Sequence, residues 1–231
     1  MENNIPFSLV FLSGGIGMRM GKHTPKQYLS LDQKVLAIHS FEVFLNMNEL
    51  QEIVVVCEEH YEKIFSQAAQ NKDITLLFAR PGERRQDSVY NGIQLLQDNP
   101  LVCIHDSARP FIDAELVGSV VKEANSWEAA VTGVKVKSTI KICDGAQIVV
   151  ETPSRACLWE VQTPQVIRLN LLQEGFSYAI EHALTVTDDV SLVELIGKPV
   201  KVVEGSYSNI KITTQEDLIF AEQIIGTYGL L

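Results

Sequence analysis

The 231-residue chain has no apolar run approaching the roughly 18 residues that a membrane-spanning helix needs. It has no C-x-x-C pair: its four cysteines stand alone at 57, 103, 143 and 157, so neither a structural zinc nor a disulfide framework is expected. Cys57 and Cys103 fall in apolar runs and read as buried thiols, which suits a reducing compartment. The five histidines are scattered, without zinc-ligand spacing. Cations are in the minority, 19 Lys and Arg against 29 Asp and Glu, for a formal net charge of -10. Such a chain is repelled by a nucleic-acid backbone, so no nucleic-acid partner is expected, although a few local cations suffice to bind a small anion. Met1 to Pro6 has neither the basic start and apolar core of a signal peptide nor an Arg-rich transit character. The expectation is a cytoplasmic protein without membrane association.

What is present is an ordinary globular balance, 46% hydrophobic and 21% charged, enough for one well-buried core. No repeat, low-complexity tract or linker divides it, so residues 1–231 are expected to form a single domain. The first half alternates apolar runs with amphipathic stretches. Strands are expected at Phe7 to Leu12, Ile53 to Cys57, Ile74 to Phe78 and Leu101 to Ile104, and helices at Val35 to Leu45, Tyr61 to Ala69, Asp87 to Gln97 and Ala114 to Asn125. Near-continuous apolar strands alternating with helices predict an α/β, Rossmann-like, mainly parallel sheet flanked by helices. Ligands of such sheets bind beyond the carboxyl ends of the strands, which marks Ser13 to Lys26, Arg80 to Ser88 and His105 to Pro110. The stretch from about 135 to 155 departs from the pattern. Lys135 to Cys143 alternates polar and apolar residues, Asp144-Gly145 suits a two-residue turn, and Gln147 to Thr152 returns. This reads as a projecting β-hairpin arm open to pairing with another chain, or as an edge hairpin on the same sheet. Helices near Asn170 to Ala183 and Asp188 to Ile196, a strand at Val200 to Val203 and a helix at Gln215 to Ile225 complete the chain.

The first strand runs directly into Ser13-Gly14-Gly15-Ile16-Gly17-Met18-Arg19, a turn whose backbone N–H groups can face an anion without side-chain obstruction. Neither the P-loop nor the dinucleotide glycine spacing is met. Pro25-Lys26-Gln27-Tyr28 follows, and with the glycines and Arg19 it resembles the GGxGxR…PK signature of sugar-phosphate nucleotidyltransferases. Two other loops carry chemistry. The adjacent Arg84 and Arg85 are awkward at a helix start unless an anion is near, or form an exposed basic turn. Asp106, in His105-Asp-Ser-Ala-Arg-Pro110, suits a magnesium ligand at a strand end, or a turn cap. His105 reads as a packing or orienting residue.

With PKQY, Gly82-x-x-Arg85-x-x-Ser88, HDSARP, Arg155-x-x-Leu158-Trp159, Thr163-Pro164-Gln165, Thr187-Asp188 and Asn209 to Thr213 in that order, the chain is similar to the 2-C-methyl-D-erythritol 4-phosphate cytidylyltransferase family from residue 13 to residue 213. The resemblance implies CTP and a sugar-alcohol phosphate as substrates, a divalent cation (Mg2+) at Asp106, and a homodimer joined through the arm. It implies that Ser13, Gly14 and Gly15 line the nucleotide, that Gly82, Arg85 and Ser88 surround its base and ribose, and that Ser107 lies near the ribose. Arg19 and Lys26 would stabilise charge at the α-phosphate, with Arg155 and Lys211 offsetting the acceptor phosphate. Arg109, Thr163, Thr187 and Lys211 would hold the acceptor, and Thr139 and Arg155 would reach the neighbouring subunit's site. Ser13 and Ser107 stand where the family often has alanine; each adds a hydroxyl without removing a charge. The alternatives are a ribitol 5-phosphate cytidylyltransferase, a uridylyl- or guanylyltransferase of the same fold, and a nucleotide sensor without chemistry.

Overall fold

The computed structural model describes residues 4–15, 24–97 and 99–228, the side chain of Tyr228 excepted. In chain order the elements are β1 (Phe7–Leu12), β2 (Ser30–Leu31), β3 (Lys34–Val35), α1 (Leu36–Leu45), β4 (Leu50–Val56), α2 (Glu62–Ala69), β5 (Thr75–Ala79), α3 (Arg85–Ile93), β6 (Leu101–Asp106) and α4 (Ala114–Trp127). They continue with β7 (Ala129–Lys135), β8 (Ile142–Cys143), β9 (Val149–Glu151), β10 (Trp159–Arg168), α5 (Leu169–Glu181), α6 (Ser191–Leu195), β11 (Lys201–Glu204) and α7 (Gln215–Tyr228). A seven-stranded sheet in the order β11-β7-β10-β6-β1-β4-β5 forms the centre. Every strand in it is parallel except β10, which runs antiparallel to both β6 and β7.

Alternation along β1 explains the two layers. Phe7, Leu9 and Phe11 face the core under α1, α2 and α4, while Val10 faces the opposite core under α3, α5 and α6. Phe11 is ringed by Phe41, Phe44 and Phe65 at 5.3–6.4 Å between centroids. Cys57 and Cys103 are free and buried in the first of these cores. A third, smaller cluster seats α7 against Leu31, Leu36 and Phe111.

The twelve helices and strands expected of the α/β pattern fall close to where periodicity places them, and three features differ from the sequence reading. The helix expected at Asp87 to Gln97 spans Arg85–Ile93, because Asp87 turns back to accept from the Arg84 N–H and so acts inside the first turn. The motif stretch around Thr163-Pro164-Gln165 is the middle of a ten-residue strand, β10; Pro164 argues against a central strand on sequence grounds. A register shift between Val161 and Gln165 accommodates it by taking those residues out of regular pairing. The hairpin turn is longer than a two-residue turn at Asp144-Gly145. Asp144 O accepts from Gln147 N, Asp144 N donates to Ile148 O, and the left-handed residue is Gln147 at φ 65°.

β8 and β9 pair with each other and form a sheet separate from the central one. Regular pairing covers less of the arm than the sequence alternation suggests. Around it Ile148 and Val150 remain 63% and 62% exposed, and Ile142 and Val149 about half exposed. Among the described residues no helix is long and apolar enough to cross a membrane.

Candidate active site

Parallel strands with a common direction deliver their carboxyl ends to one rim, where β1, β4, β5 and β6 end in loops. The turn after β1 is tied down on its inner side. Ser13 N donates to Val56 O at 2.8 Å, and the Ser13 hydroxyl accepts from that of Ser107 at 3.2 Å. Ser13 and Ser107 are both almost wholly buried, so their hydroxyls brace the β1 and β6 loops against each other. Gly14 is required by close approach: a Cβ there would lie 2.4 Å from Pro81 Cγ. Gly82 is similarly pressed against Asp87, and its N–H donates to Ser88 Oγ at 3.0 Å.

These loops enclose a cleft of about 540 Å³ lined by Gly14, Gly15, Lys26, Gly82, Arg84, Arg85, Ser88, Asp106, Ser107 and Lys211. Beside it lies a second cleft of about 460 Å³, lined by Arg85, Asp106, Arg109, Thr163, Thr187 and Lys211 among others. Asp106, Arg85 and Lys211 belong to both and form the wall where the clefts meet. A larger groove between α4, β11 and α7, lined by Phe111, Ile112, Leu116, Phe220 and Ile224 among others, lies away from these residues.

The shared wall is a line of alternating charge. Lys211 Nζ donates to Asp106 Oδ2 at 2.5 Å, and Arg85 Nε to Asp106 Oδ1 at 3.0 Å. Arg85 turns its other two nitrogens to Asp189 at 2.7 and 2.8 Å. Burial alone would raise the Asp106 carboxyl, but Arg85, Lys211 and Arg109 together hold it well below the usual carboxylate range. The two adjacent arginines therefore have protein anions: Arg84 pairs with Asp87 at 2.7 Å, and Arg85 with Asp106 and Asp189. Arg109 is different. It donates to Asn209 O at 2.7 Å and to Val161 O at 3.5 Å, has no carboxylate within 4.0 Å among the described residues, and leaves its buried Nε without a hydrogen-bond partner. A half-buried guanidinium that borders a cleft and has no carboxylate paired to it is suited to an incoming anion.

His105 orients the wall from below. It is fully buried, with Nε2 3.1 Å from Arg109 O and Nδ1 3.1 Å from Thr163 Oγ1. The carbonyl demands an N–H on Nε2, so the Thr163 hydroxyl donates to Nδ1 and accepts from the Asp106 N–H at 3.1 Å. Burial, above all, pushes the imidazole down to about 4, and it stays neutral.

Of the residues marked in the sequence, the first cleft gathers Gly14, Gly15, Lys26, Gly82, Arg85, Ser88 and Ser107, with Ser13 buried beneath them. The second gathers Arg109, Thr163, Thr187 and Lys211. Thr139 and Arg155 line neither cleft. Thr139 is exposed on the arm, and Arg155 donates to Lys137 O at 2.6 Å at the arm's root. Arg19 lies outside the described residues. Asp189 and Gln165 carry roles that sequence reading missed: Gln165 Oε1 accepts from the N–H groups of Asp189 and Val190 and so places the carboxylate on Arg85. The unexplained Arg84-Arg85 pair was the available signal for a buried carboxylate elsewhere in the chain.

The donor set fits a hard divalent cation in one way. No group of three or more His, Cys, Asp or Glu among the described residues holds a metal unaided. Asp106 offers one ionised carboxylate at the junction of the clefts, which matches Mg2+ bound through one carboxylate, substrate phosphates and water.

A family model described as "IspD: 2-C-methyl-D-erythritol 4-phosphate cytidylyltransferase" matches residues 7–227. Among curated relatives, the chloroplastic 2-C-methyl-D-erythritol 4-phosphate cytidylyltransferase of Oryza sativa is 50% identical, over 95% of this chain and 74% of its own. That of Clostridioides difficile is 41% identical, over 95% of this chain and 94% of its own. The crystal structure of 4-diphosphocytidyl-2C-methyl-D-erythritol synthase from Anaerococcus prevotii superposes with a TM-score of 0.86 at 29% identity, over 97% of this chain and 100% of that one.

Proposed function

The chain belongs to the 2-C-methyl-D-erythritol 4-phosphate cytidylyltransferase family, and from that premise we propose how its two clefts divide the reaction. The enzyme transfers CMP from CTP to 2-C-methyl-D-erythritol 4-phosphate, giving 4-diphosphocytidyl-2-C-methyl-D-erythritol and pyrophosphate. The observation that carries our assignment is the meeting of two clefts at Asp106 and Lys211, one floored by a glycine turn and the other holding the acid-free Arg109.

CTP occupies the first cleft. Gly14 and Gly15 face its phosphates, Gly82 and Ser88 face its base and ribose side, and Lys26 and Arg19 offset charge on the triphosphate. Arg85 acts at this wall through Asp106, to which it is bonded. The acceptor occupies the second cleft, its phosphate near Arg109 and Lys211 and its polyol toward Thr163 and Thr187. An oxygen of the 4-phosphate attacks the α-phosphorus in line. The new P–O bond forms as the bond to the bridging oxygen breaks, and the electron pair leaves on pyrophosphate. The acceptor is already an anionic nucleophile, so no covalent enzyme intermediate is needed. The obstacle is bringing two anions together, which the residues overcome by positioning and by preorganised charge. Asp106 would hold Mg2+, whose chemistry is to neutralise charge on the phosphate oxygens.

Thr139 and Arg155 are proposed to act in a second copy's site, which makes the working unit a homodimer joined through the arm. A cytoplasmic location is the companion proposal. Pyrophosphate release from CTP and Mg2+, measured with methylerythritol phosphate, ribitol phosphate or no acceptor, tests the reaction. Release with methylerythritol phosphate alone is expected. Release with ribitol phosphate instead would keep the chemistry and change the substrate, and none with any acceptor would overturn the assignment.

A further inference from the structure

We propose that Gln27 and Tyr28 are positioning residues that aim the Gly14 N–H at the triphosphate, so that anchoring of one carbonyl, and not glycine content alone, makes the turn an anion site. The proposal deepens the assignment of the first cleft to CTP and rests on it.

Ser13 O accepts two side-chain hydrogen bonds, from Gln27 Nε2 at 2.9 Å and from the Tyr28 hydroxyl at 2.8 Å. Gln27 Nε2 also donates to Gly15 O at 2.8 Å. Both side chains are buried, so their donors have few alternatives in water. The Ser13–Gly14 peptide is not among the cis bonds, which among the described residues comprise Thr163–Pro164 alone. In a planar trans peptide the carbonyl of one residue and the N–H of the next point in opposite directions. With its oxygen held toward Gln27 and Tyr28, this unit turns the Gly14 N–H away from them, toward the cleft that Gly14 lines.

The anchor is itself held. The Tyr28 ring stacks on Tyr61 with centroids 3.5 Å apart and meets Phe65 edge-on. Burial keeps the Tyr28 phenol far above its ordinary titration range, so it remains a donor at any working pH. Pro81 lies so near that a Cβ at Gly14 would be 2.4 Å from its Cγ, so no larger residue can replace this glycine without a shift. A turn rich in glycine is intrinsically mobile; two donors on one carbonyl remove that freedom before substrate arrives. Preorganised N–H groups stabilise developing charge without reorganising during the reaction.

The test is steady-state kinetics of Tyr28→Phe, Gln27→Met, Gln27→Glu and the Tyr28→Phe/Gln27→Met double variant, beside thermal melting. Tyr28→Phe keeps the ring stack and removes one donor; Gln27→Glu keeps the shape and removes donation. Each single change is expected to raise KM for CTP about 2- to 10-fold, the span of one net hydrogen bond, with KM for the acceptor within twofold of native. Gln27→Glu should be at least as impaired as Gln27→Met. The double variant should exceed the product of the singles, because it leaves the shared carbonyl without either donor. A native KM for CTP in the folded single variants, or a fall in kcat alone matching a lost folded fraction, would overturn the proposal. If the double variant does not fold, the single variants decide. Turnover of CTP by the native enzyme is the control: its absence would defeat the assignment of the cleft and not the anchoring.

Discussion

The cleft wall and the arm are built to opposite rules. In the wall, charges find their partners inside the chain: Lys211 and Arg85 on Asp106, Arg85 again on Asp189, and the whole braced by Thr163 and His105. In the arm, cations rest on groups that do not neutralise them. Arg155 meets Lys137 O, Lys141 meets Thr152 Oγ1, and the ammonium of Lys137 sits 3.3 Å from the Tyr207 ring centroid. None of these three has a carboxylate within 4.0 Å among the described residues, and the neighbouring Ile148 and Val150 are mostly exposed. The contrast teaches that the charges of the wall are balanced within one chain, while the arm presents charge and apolar surface with no carboxylate among the described residues to receive that charge.

The sharpest way to break the wall is to remove the far end of its charge line. Asp189→Ala leaves the part-buried Arg85 with one of its two carboxylate partners; breaking a buried pair from one side costs about 3 to 5 kcal/mol, and solvent access to Arg85 puts this case at or below the low end of that range. Urea denaturation should show that loss as a lower midpoint; an unchanged midpoint would mean that the line does not stabilise the fold. The next effect is on pH. His105 titrates near 4 in the folded protein and near its ordinary 6.5 when unfolded, so between those values the unfolded chain binds more protons. Stability is therefore full above about pH 6.5 and falls by roughly 3 kcal/mol as pH drops toward 4. His105→Gln, which keeps a donor for Arg109 O and does not titrate, should flatten that slope, and a slope that persists in the variant would remove His105 as its source. Third, Lys26→Ala should lower kcat about 100-fold by analogy with lost transition-state donors, with the fold intact; an unchanged turnover would remove Lys26 from the chemistry.

Much of the wall was legible before any coordinates. Periodicity marks β1, β4 and β6 because their residues are mostly buried on both faces, and β5 because the edge strand is still an apolar run; the rule that ligands lie beyond strand ends selects the three loops that meet there. What escaped is non-local. Asp189 lies 104 positions from Arg85, and no local pattern joins them. β10 was hidden because Pro164 argues against a central strand, and only the register shift around it makes it compatible with one. The arm's alternation was readable, yet it left open whether the hairpin joined the central sheet, since an exposed strand and an edge strand share the same period. The turn was misjudged by its residues: Asp144-Gly145 looks like a complete turn, but Asp144 Oδ1 also accepts from Ala146 and Ile148 and lengthens the loop.

The smallest expected effect falls on the arm. Arg155→Ala should leave protomer stability unchanged, since the exposed Arg155 side chain bonds to Lys137 O alone among the described residues, and should lower kcat/KM for the acceptor about tenfold, the scale of one charge-assisted contact. The direct measurement of the account's central proposal, that Arg155 of one copy acts in the other copy's site, mixes Lys26→Ala with Arg155→Ala under conditions that exchange subunits. Each variant alone is impaired. If arms serve the partner's site, statistical pairing in a two-fold dimer makes about a quarter of all sites native, and activity should rise to about a quarter of the native value. Activity equal to the average of the two variants measured separately would contradict the account and place Arg155 in its own chain's site or outside the reaction.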